Sequence, residues 1–171
     1  MTRRVVDAVA PMLWLSACVA AVGLTMRYEF IGGQVGPRLA LWPQQTSLSR
    51  SHGRLTAVAF VHPRCVCTRA TAAQLVRTLR AYPDSELVVT VFVPTDATDL
   101  RPWQGAESVR IIQEAVPSAR MVWDRGGLEA RRFGAYTSGT LLVYDTQGRE
   151  VFRGGITDRR GGEGDNPGLQ R

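Results

Sequence analysis

The stretch LTAVAFVHPRCVCT, from Leu55 to Thr68, decides the fold of this chain. Its first half, Leu55 to Val61, is an apolar run rich in β-branched and aromatic residues, a pattern typical of a buried strand. Pro63 ends that strand. From Thr68 to Ala81 the apolar residues recur near helical spacing, which predicts an amphipathic helix. The stretch is therefore predicted to be a strand, a tight turn and a helix.

Two cysteines, Cys65 and Cys67, lie in that turn, next to the N-terminus of the predicted helix. The unpaired N–H groups and the dipole of a helix favour negative charge at this end, so a thiol there is shifted toward the nucleophilic thiolate. The positive charges of Arg64 and Arg69 act in the same direction. We therefore expect the chemistry of this protein to be thiol chemistry at this turn.

The composition indicates a globular chain and argues against nucleic acid as a partner. The chain has 171 residues, of which 44% are hydrophobic and 21% charged, enough for one domain with appendages. Its net charge is +6, and all 21 basic residues are arginines. They are scattered along the sequence, with no basic patch interleaved with aromatic residues and no nucleic-acid motif.

An uncharged, mostly apolar run from Ala8 to Met26 follows Arg3 and Arg4 near the N-terminus. Its length of about 19 residues suits one crossing of a bilayer. Arginines before such a run hold the N-terminus in the cytoplasm. We therefore predict a single-pass signal-anchor helix over residues 1–28 in a bacterial cell membrane, with the rest of the chain on the periplasmic or extracytoplasmic side.

Other interpretations of this segment stay open. Leu15-Ser16-Ala17-Cys18 looks like the lipobox of bacterial lipoproteins, in which Cys18 would be acylated. A cleaved signal peptide and a buried core helix are further alternatives. The apolar run continues beyond Cys18 to Met26, and this continuation favours the uncleaved anchor.

The rest of the chain predicts alternating strands and helices. The predicted strands after the first are Glu86–Val93, Ala119–Trp123, Thr140–Tyr144 and Arg149–Arg153, and the further helices are Glu107–Val116 and Gly127–Phe133. Asp96–Gly105 is predicted to be a loop. The order is that of an α/β fold, in which reactive groups lie at the carboxyl ends of parallel strands. Cys65 and Cys67 follow such an end.

Four segments are expected. They are the anchor at 1–28, a linker at 29–53, a domain at 54–157 and a flexible Gly/Arg-rich tail at 158–171. In the linker, His52 is expected to be a solvated loop residue. Trp42 has two possible places, against the domain or at the membrane interface.

This order of elements resembles that of thioredoxin-fold proteins. More narrowly, the motifs His62–Cys67, Arg132–Ala135 with Thr137–Gly139, and Gly154–Thr157 with Gly164–Asn166 are similar to those of the membrane-anchored proteins called RedB. The resemblance implies a thioredoxin-like mixed sheet flanked by helices, with an N-terminal transmembrane helix. It also implies redox chemistry on protein thiols or disulfides, without a cofactor.

Three features depart from the thioredoxin pattern. One residue separates the cysteines, whereas thioredoxins have two. Gly139 stands where the family has a cis-proline, so we expect a different way of holding a partner's extended segment. The family's closing helix is not indicated after the last strand, and we therefore expect one face of the sheet to be poorly covered.

The redox hypothesis assigns the attack on a partner disulfide to Cys65 and the resolution of the mixed disulfide to Cys67. Residues i and i+2 of a helix point to opposite sides, so the pair closes only if Cys65 lies in the preceding turn. The small ring is expected to be strained and therefore oxidising. His62, Arg64, Thr68 and Gly139 are the expected supporting residues.

Rival hypotheses concern the same turn. Cys65 and Cys67 with His62 or His52 would suit Cu(I) or zinc, as in a metal delivery protein. Peroxide reduction at a single sulfenic acid and an inert pair are the others. Glu129 and Asp124 are the nearest candidates by sequence for a buried proton acceptor.

Overall fold

The computed structural model describes residues 2–30, 36–65, 67–155 and 157, and the side chains of residues 2–8, 29, 30, 67, 69, 80 and 81 lie outside this description. The predicted tail at 158–171 also lies outside it. The chain divides into two compact units, Met1–Gly32 and Gly33–Arg171.

The first unit is one helix, α1, Thr2–Phe30. Its segment Val9–Tyr28 is 20 residues long and apolar enough to cross a membrane. The hydroxyl of Ser16 donates a hydrogen bond to the carbonyl of Met12, and that of Thr25 to the carbonyl of Ala21, both at 2.9 Å. These bonds satisfy both hydroxyls within the helix, which a hydrocarbon environment requires.

The second unit is built on one five-stranded sheet. Its strands are β1 Thr56–Val61, β2 Glu86–Val93, β3 Arg120–Arg125, β4 Thr140–Tyr144 and β5 Glu150–Gly155, and their order in the sheet is β3-β2-β1-β4-β5. β1, β2 and β3 run parallel, whereas β4 pairs antiparallel with β1 and with β5. The central strand β1 is buried along its whole length. The predicted mixed sheet with flanking helices is therefore confirmed.

Four helices accompany the sheet among the described residues of this unit. They are α2 Cys67–Ala81, α3 Arg101–Gln104, α4 Glu107–Ala115 and α5 Leu128–Arg132. The prediction of a loop over Asp96–Gly105 is wrong at α3. This helix has only four residues, with Pro102 in its first turn. A helix of this length is too short to show an apolar period in the sequence.

One face of the sheet packs against α2 and α4. Ala57, Ala59 and Val61 of β1 face this side and lie in one cluster with Leu75 of α2 and Ile112 of α4. The alternation along β1 places the intervening residues on the opposite face. Apolar residues whose spacing predicted α2 are thus residues through which this helix packs against the sheet.

The opposite face is covered by α5, by the loop after it and by the segment Leu41–Leu48. Trp42 packs edge-on against Phe133 and Tyr144, with ring centroids 5.1 and 4.9 Å apart. The backbone N–H of Trp42 donates a 2.8 Å hydrogen bond to the carbonyl of Gly148. Trp42 therefore lies against the domain, and this part of the predicted linker covers the face that we expected to be poorly covered.

Glu129 holds the Leu41–Leu48 segment in place. Its buried carboxylate accepts hydrogen bonds from the hydroxyl of Thr46 and from the backbone N–H and hydroxyl of Ser47, the last two at 3.1 and 2.9 Å. Burial raises the pKa of Glu129, but these bonds and one from Arg132 outweigh it, and the pKa lies below its usual value. Asp124 accepts 2.9 Å bonds from two backbone N–H groups at the start of α5. Both carboxylates thus act as structural groups around α5.

Candidate functional site

The cysteine turn follows the end of β1, at the centre of the sheet. The N–H of Cys65 donates to the carbonyl of His62, and the N–H of Thr68 donates to the carbonyl of Cys65, both at 3.0 Å. Cys67 is the first residue of α2. Cys65 therefore lies in the turn before the helix and is half-buried.

Cys65 is disulfide-bonded in this structure, whereas Cys18 of α1 is a free thiol. The side chain of Cys67 and Val66 as a whole lie outside the described residues. The same holds for the side chain of Arg69, which we expected to favour the thiolate. The predicted pairing of Cys65 with Cys67 accordingly stays a prediction.

Three hydrogen bonds form a closed ring around the turn. The N–H of His62 donates to Ser138 Oγ at 2.8 Å, and Thr68 Oγ1 donates to the carbonyl of His62 at 2.8 Å. Ser138 Oγ lies 3.3 Å from Thr68 Oγ1. Because the Thr68 proton is directed at His62, Ser138 is the donor in this third bond. The ring joins the end of β1, the first turn of α2 and the loop before β4.

Gly139 follows Ser138 and brings the same loop close to α2. Its N–H donates to the carbonyl of Phe60 at 2.8 Å, and its φ angle is +89°. A Cβ atom at this position would lie 2.9 Å from Thr71 Oγ1. Glycine is therefore required by both the backbone conformation and the close approach to α2. This predicted supporting residue thus lies in the loop that contacts the cysteine turn.

His62 is half-buried between aromatic rings. Its imidazole stacks on Phe92 at a centroid distance of 5.2 Å and meets Trp103 edge-on at 6.4 Å. Burial lowers the pKa of His62, and the charge of Arg64 lowers it further. The imidazole is therefore neutral at neutral pH. Its Nδ1 accepts a 3.2 Å bond from the N–H of Arg64, which leaves the proton on Nε2.

Arg64 extends from the turn into solvent over Trp103. Its guanidinium carbon lies 4.4 Å from the centroid of the indole ring. The preceding residue, Pro63, is anchored from the other side, because the buried hydroxyl of Ser108 donates to its carbonyl at 3.0 Å. The cation next to Cys65 is thus held by an aromatic face on a fixed backbone.

Sequence reasoning named His62, Arg64, Thr68 and Gly139, and the structure brings all four to the cysteine turn. Ser138, Trp103 and Ser108 were not predicted, and they reach the turn from the loop before β4, from α3 and from α4. One signal was available for Trp103. It lies in the connection after β2, and the carboxyl ends of adjacent parallel strands share one edge of a sheet.

The part of the chain that the structure describes contains no cluster of side chains that supports the metal hypothesis. No group of three or more His, Cys, Asp or Glu side chains in that part is placed to hold a metal ion. His52 is exposed in the loop before β1. A ligand set that includes Cys67 falls partly outside the described residues and stays a hypothesis.

No protein-family model matches this chain, and no curated protein does. The chain is similar to the crystal structure of an uncharacterized conserved protein from Geobacillus kaustophilus, with a TM-score of 0.52, 17% identity, and coverage of 82% of this chain and 77% of that one.

Two further solved structures are similar to it. One is a thioredoxin-like protein from Aeropyrum pernix, with a TM-score of 0.49, 15% identity, and coverage of 84% and 91%. The other is a secreted Mycobacterium tuberculosis disulfide oxidoreductase homologous to E. coli DsbE, with a TM-score of 0.41, 19% identity, and coverage of 58% and 68%. At these identities a likeness shows the fold alone. With its sheet order and its cysteine turn at the end of the central strand, this chain has a thioredoxin-like fold.

Proposed function

We propose that this chain is a membrane-tethered, extracytoplasmic thiol–disulfide redox protein whose reactive pair is Cys65 and Cys67. Its partners are protein thiols or disulfides. One observation carries the proposal: half-buried Cys65 lies in the turn between the central strand and the N-terminus of the fifteen-residue helix α2. This position favours the thiolate and leaves it within reach of a partner.

The reaction is a pair of thiol–disulfide exchanges. The Cys65 thiolate attacks one sulfur of a partner disulfide, a mixed disulfide forms, and one partner thiolate leaves. The Cys67 thiolate then attacks the Cys65 sulfur and releases the second partner thiolate. The partner disulfide gains two electrons, and the cysteine pair of this chain loses two. The reverse sequence oxidises a partner dithiol.

The surroundings of Cys65 support this chemistry. The ring formed by His62, Ser138 and Thr68 fixes the turn, so little backbone reorganisation precedes the attack. Arg64 is the neighbour of Cys65 in the chain, and a positive charge near a thiol favours its anionic form.

The membrane and the compartment are proposed from the N-terminal helix. Val9–Tyr28 is long and apolar enough to anchor the chain, and Arg3 and Arg4 precede it. Such arginines leave the redox domain on the outer side, where disulfides persist. The similarity of the cysteine turn to RedB proteins rests on the sequence motifs, and on them we propose that this chain is RedB-like.

Thiol titration of the full-length chain in detergent micelles tests the proposal. We expect one titratable thiol before reduction, that of Cys18, and all three cysteines of the chain after it. Cys65→Ser and Cys67→Ser remove this increase and the turnover of disulfides, whereas Cys18→Ser keeps both. A thiol count that reduction does not change contradicts the proposal. Stoichiometric Cu(I) binding that both variants lose, without disulfide turnover, favours metal delivery instead.

A further inference from the structure

The Arg64–Trp103 pair places a fixed positive charge beside the proposed nucleophile. The Arg64 guanidinium lies over the indole of Trp103, 4.4 Å from its centroid, and Arg64 is exposed. An aromatic face orients a cation without neutralising its charge. Arg64 directly precedes Cys65, so the Cα atoms of the two residues lie about 3.8 Å apart.

Arg64 keeps its charge available for a partner. Five other arginines form ion pairs with carboxylates within the described chain, namely Arg101, Arg120, Arg132, Arg149 and Arg153. Within the same described ranges, Arg64 forms none. Asp99, which lies just before the helix α3 that carries Trp103, accepts hydrogen bonds from Arg101 through both of its carboxylate oxygens. Among the residues that the structure describes, the cation at the cysteine turn therefore has an aromatic support and no carboxylate paired with it.

The backbone beneath this cation is fixed on two sides. The backbone N–H of Arg64 donates a hydrogen bond to His62 Nδ1 at 3.2 Å. The carbonyl of Pro63 accepts one from the hydroxyl of Ser108 at 3.0 Å. A group that is already ordered loses less conformational entropy when it binds a ligand. The ordered guanidinium of Arg64 is therefore suited to bind an anionic group of a partner.

We propose that Arg64, held over Trp103, selects partners that carry carboxylates beside their reactive cysteine. This inference rests on the proposed redox function and names its substrate class, an acidic polypeptide segment with a thiol or disulfide. A carboxylate of the partner binds the guanidinium while the partner sulfur meets Cys65. A basic segment is repelled by the same charge.

Small symmetric disulfides of different charge test the selection directly. The reduced full-length protein, with Cys18→Ser to remove the third thiol, is mixed with anionic dithiobis-nitrobenzoate, neutral dithiodipyridine or cationic cystamine. In Arg64→Gln we expect the rate with the anionic probe to fall about three- to tenfold relative to the neutral probe, and the rate with the cationic probe to rise relative to it. The rate with the neutral probe reports the loss of thiolate that Arg64→Gln also causes, so the rates with both charged probes are divided by it. About 0.5 M salt should remove the difference.

Arg54→Gln is the matched control. Arg54 is also exposed and lies before β1, at the opposite end of this six-residue strand, about 20 Å away along the strand. This variant removes the same charge and should leave all three rates unchanged. If Arg64→Gln slows all three probes equally, Arg64 acts on the thiolate and not on the partner, and the inference is overturned.

Peptide disulfides extend the test to polypeptides. Two peptides that differ only in having Glu or Gln beside the cysteine should differ in KM, with the Glu peptide lower, and Arg64→Gln should abolish the difference. An equal KM for both peptides with the unsubstituted Arg64 overturns the inference. If even the neutral probe fails to react with the reduced protein, the proposed redox function itself fails. The two failures are therefore distinguishable.

Discussion

The backbone N–H of His62 donates a 2.8 Å hydrogen bond to the hydroxyl of Ser138, 76 residues further along the chain. This bond ties the end of the central strand to the loop before β4. The same hydroxyl meets Thr68 in the first turn of α2. The position of the cysteine turn therefore depends on Ser138 in the loop before β4, and not only on the local sequence.

Replacing Ser138 by Ala should destabilise the domain and disturb the redox site together. The N–H of His62 loses its partner, and an unpaired buried polar group costs about 1–3 kcal/mol. Urea unfolding measures this loss, and equilibration with a glutathione buffer measures the accompanying shift in the reduction potential of the cysteines. Ser138→Thr retains a hydroxyl and should lose less. An unfolding free energy of Ser138→Ala equal to that of the wild type would contradict the role given to the ring.

Gly139→Ala should be destabilising for two separable reasons. The φ angle of +89° is unfavourable for alanine, and the new Cβ lies 2.9 Å from Thr71 Oγ1. We expect a loss of about 1–3 kcal/mol in the free energy of unfolding. Gly53→Ala is the matched control, because Gly53 has a φ of +99° and no heavy atom within 4 Å of its added Cβ. Equal losses in the two variants would show that contact with Thr71 contributes nothing.

Glu129→Gln should flatten the pH dependence of stability in acid. The pKa of Glu129 is lower in the folded chain than its usual value of 4.5, so its carboxylate stabilises the fold above that value. This contribution is lost as the pH falls through the folded pKa, because the folded state must then take up a proton. At neutral pH the variant should be about 1–3 kcal/mol less stable.

The measurement is urea unfolding of both proteins from neutral to acid pH. The difference between their unfolding free energies should shrink as the pH falls below 4.5. A difference that is independent of pH would contradict the assignment. Glu114→Gln serves as the control, because Glu114 is an exposed carboxylate on α4.

Trp42→Ala should destabilise the domain although Trp42 precedes the first strand. Its ring packs against Phe133 and Tyr144 on the sheet face opposite α2 and α4. Truncation of a fully buried aromatic residue costs about 3–5 kcal/mol, so we expect a loss of about 2–3 kcal/mol for half-buried Trp42. The neighbouring Leu41 is 61% exposed, and Leu41→Ala should cost about 0.5 kcal/mol or less. Thermal unfolding of a soluble fragment that begins at Gly36 compares the two, and equal midpoints would contradict this placement of Trp42.

Local sequence patterns determined the regular elements of this protein. The predicted strands Glu86–Val93 and Thr140–Tyr144 agree with β2 and β4 at both ends, and the predicted helix after the cysteines agrees with α2 to within one residue. These elements repeat apolar residues at the period of a strand or a helix. The short helix α3 shows no such period, and it was missed.

The sequence also indicated which cysteines follow the central strand and which residues surround them, because the residues from His62 to Thr68 are neighbours in the chain. Only the tertiary structure decided that Ser138 bonds to His62, that Trp103 supports Arg64, and that Thr46 and Ser47 bind Glu129. Each of these contacts joins residues from separate segments. Periodicity determines which face of an element is buried, but the order of the strands in the sheet determines which loops meet.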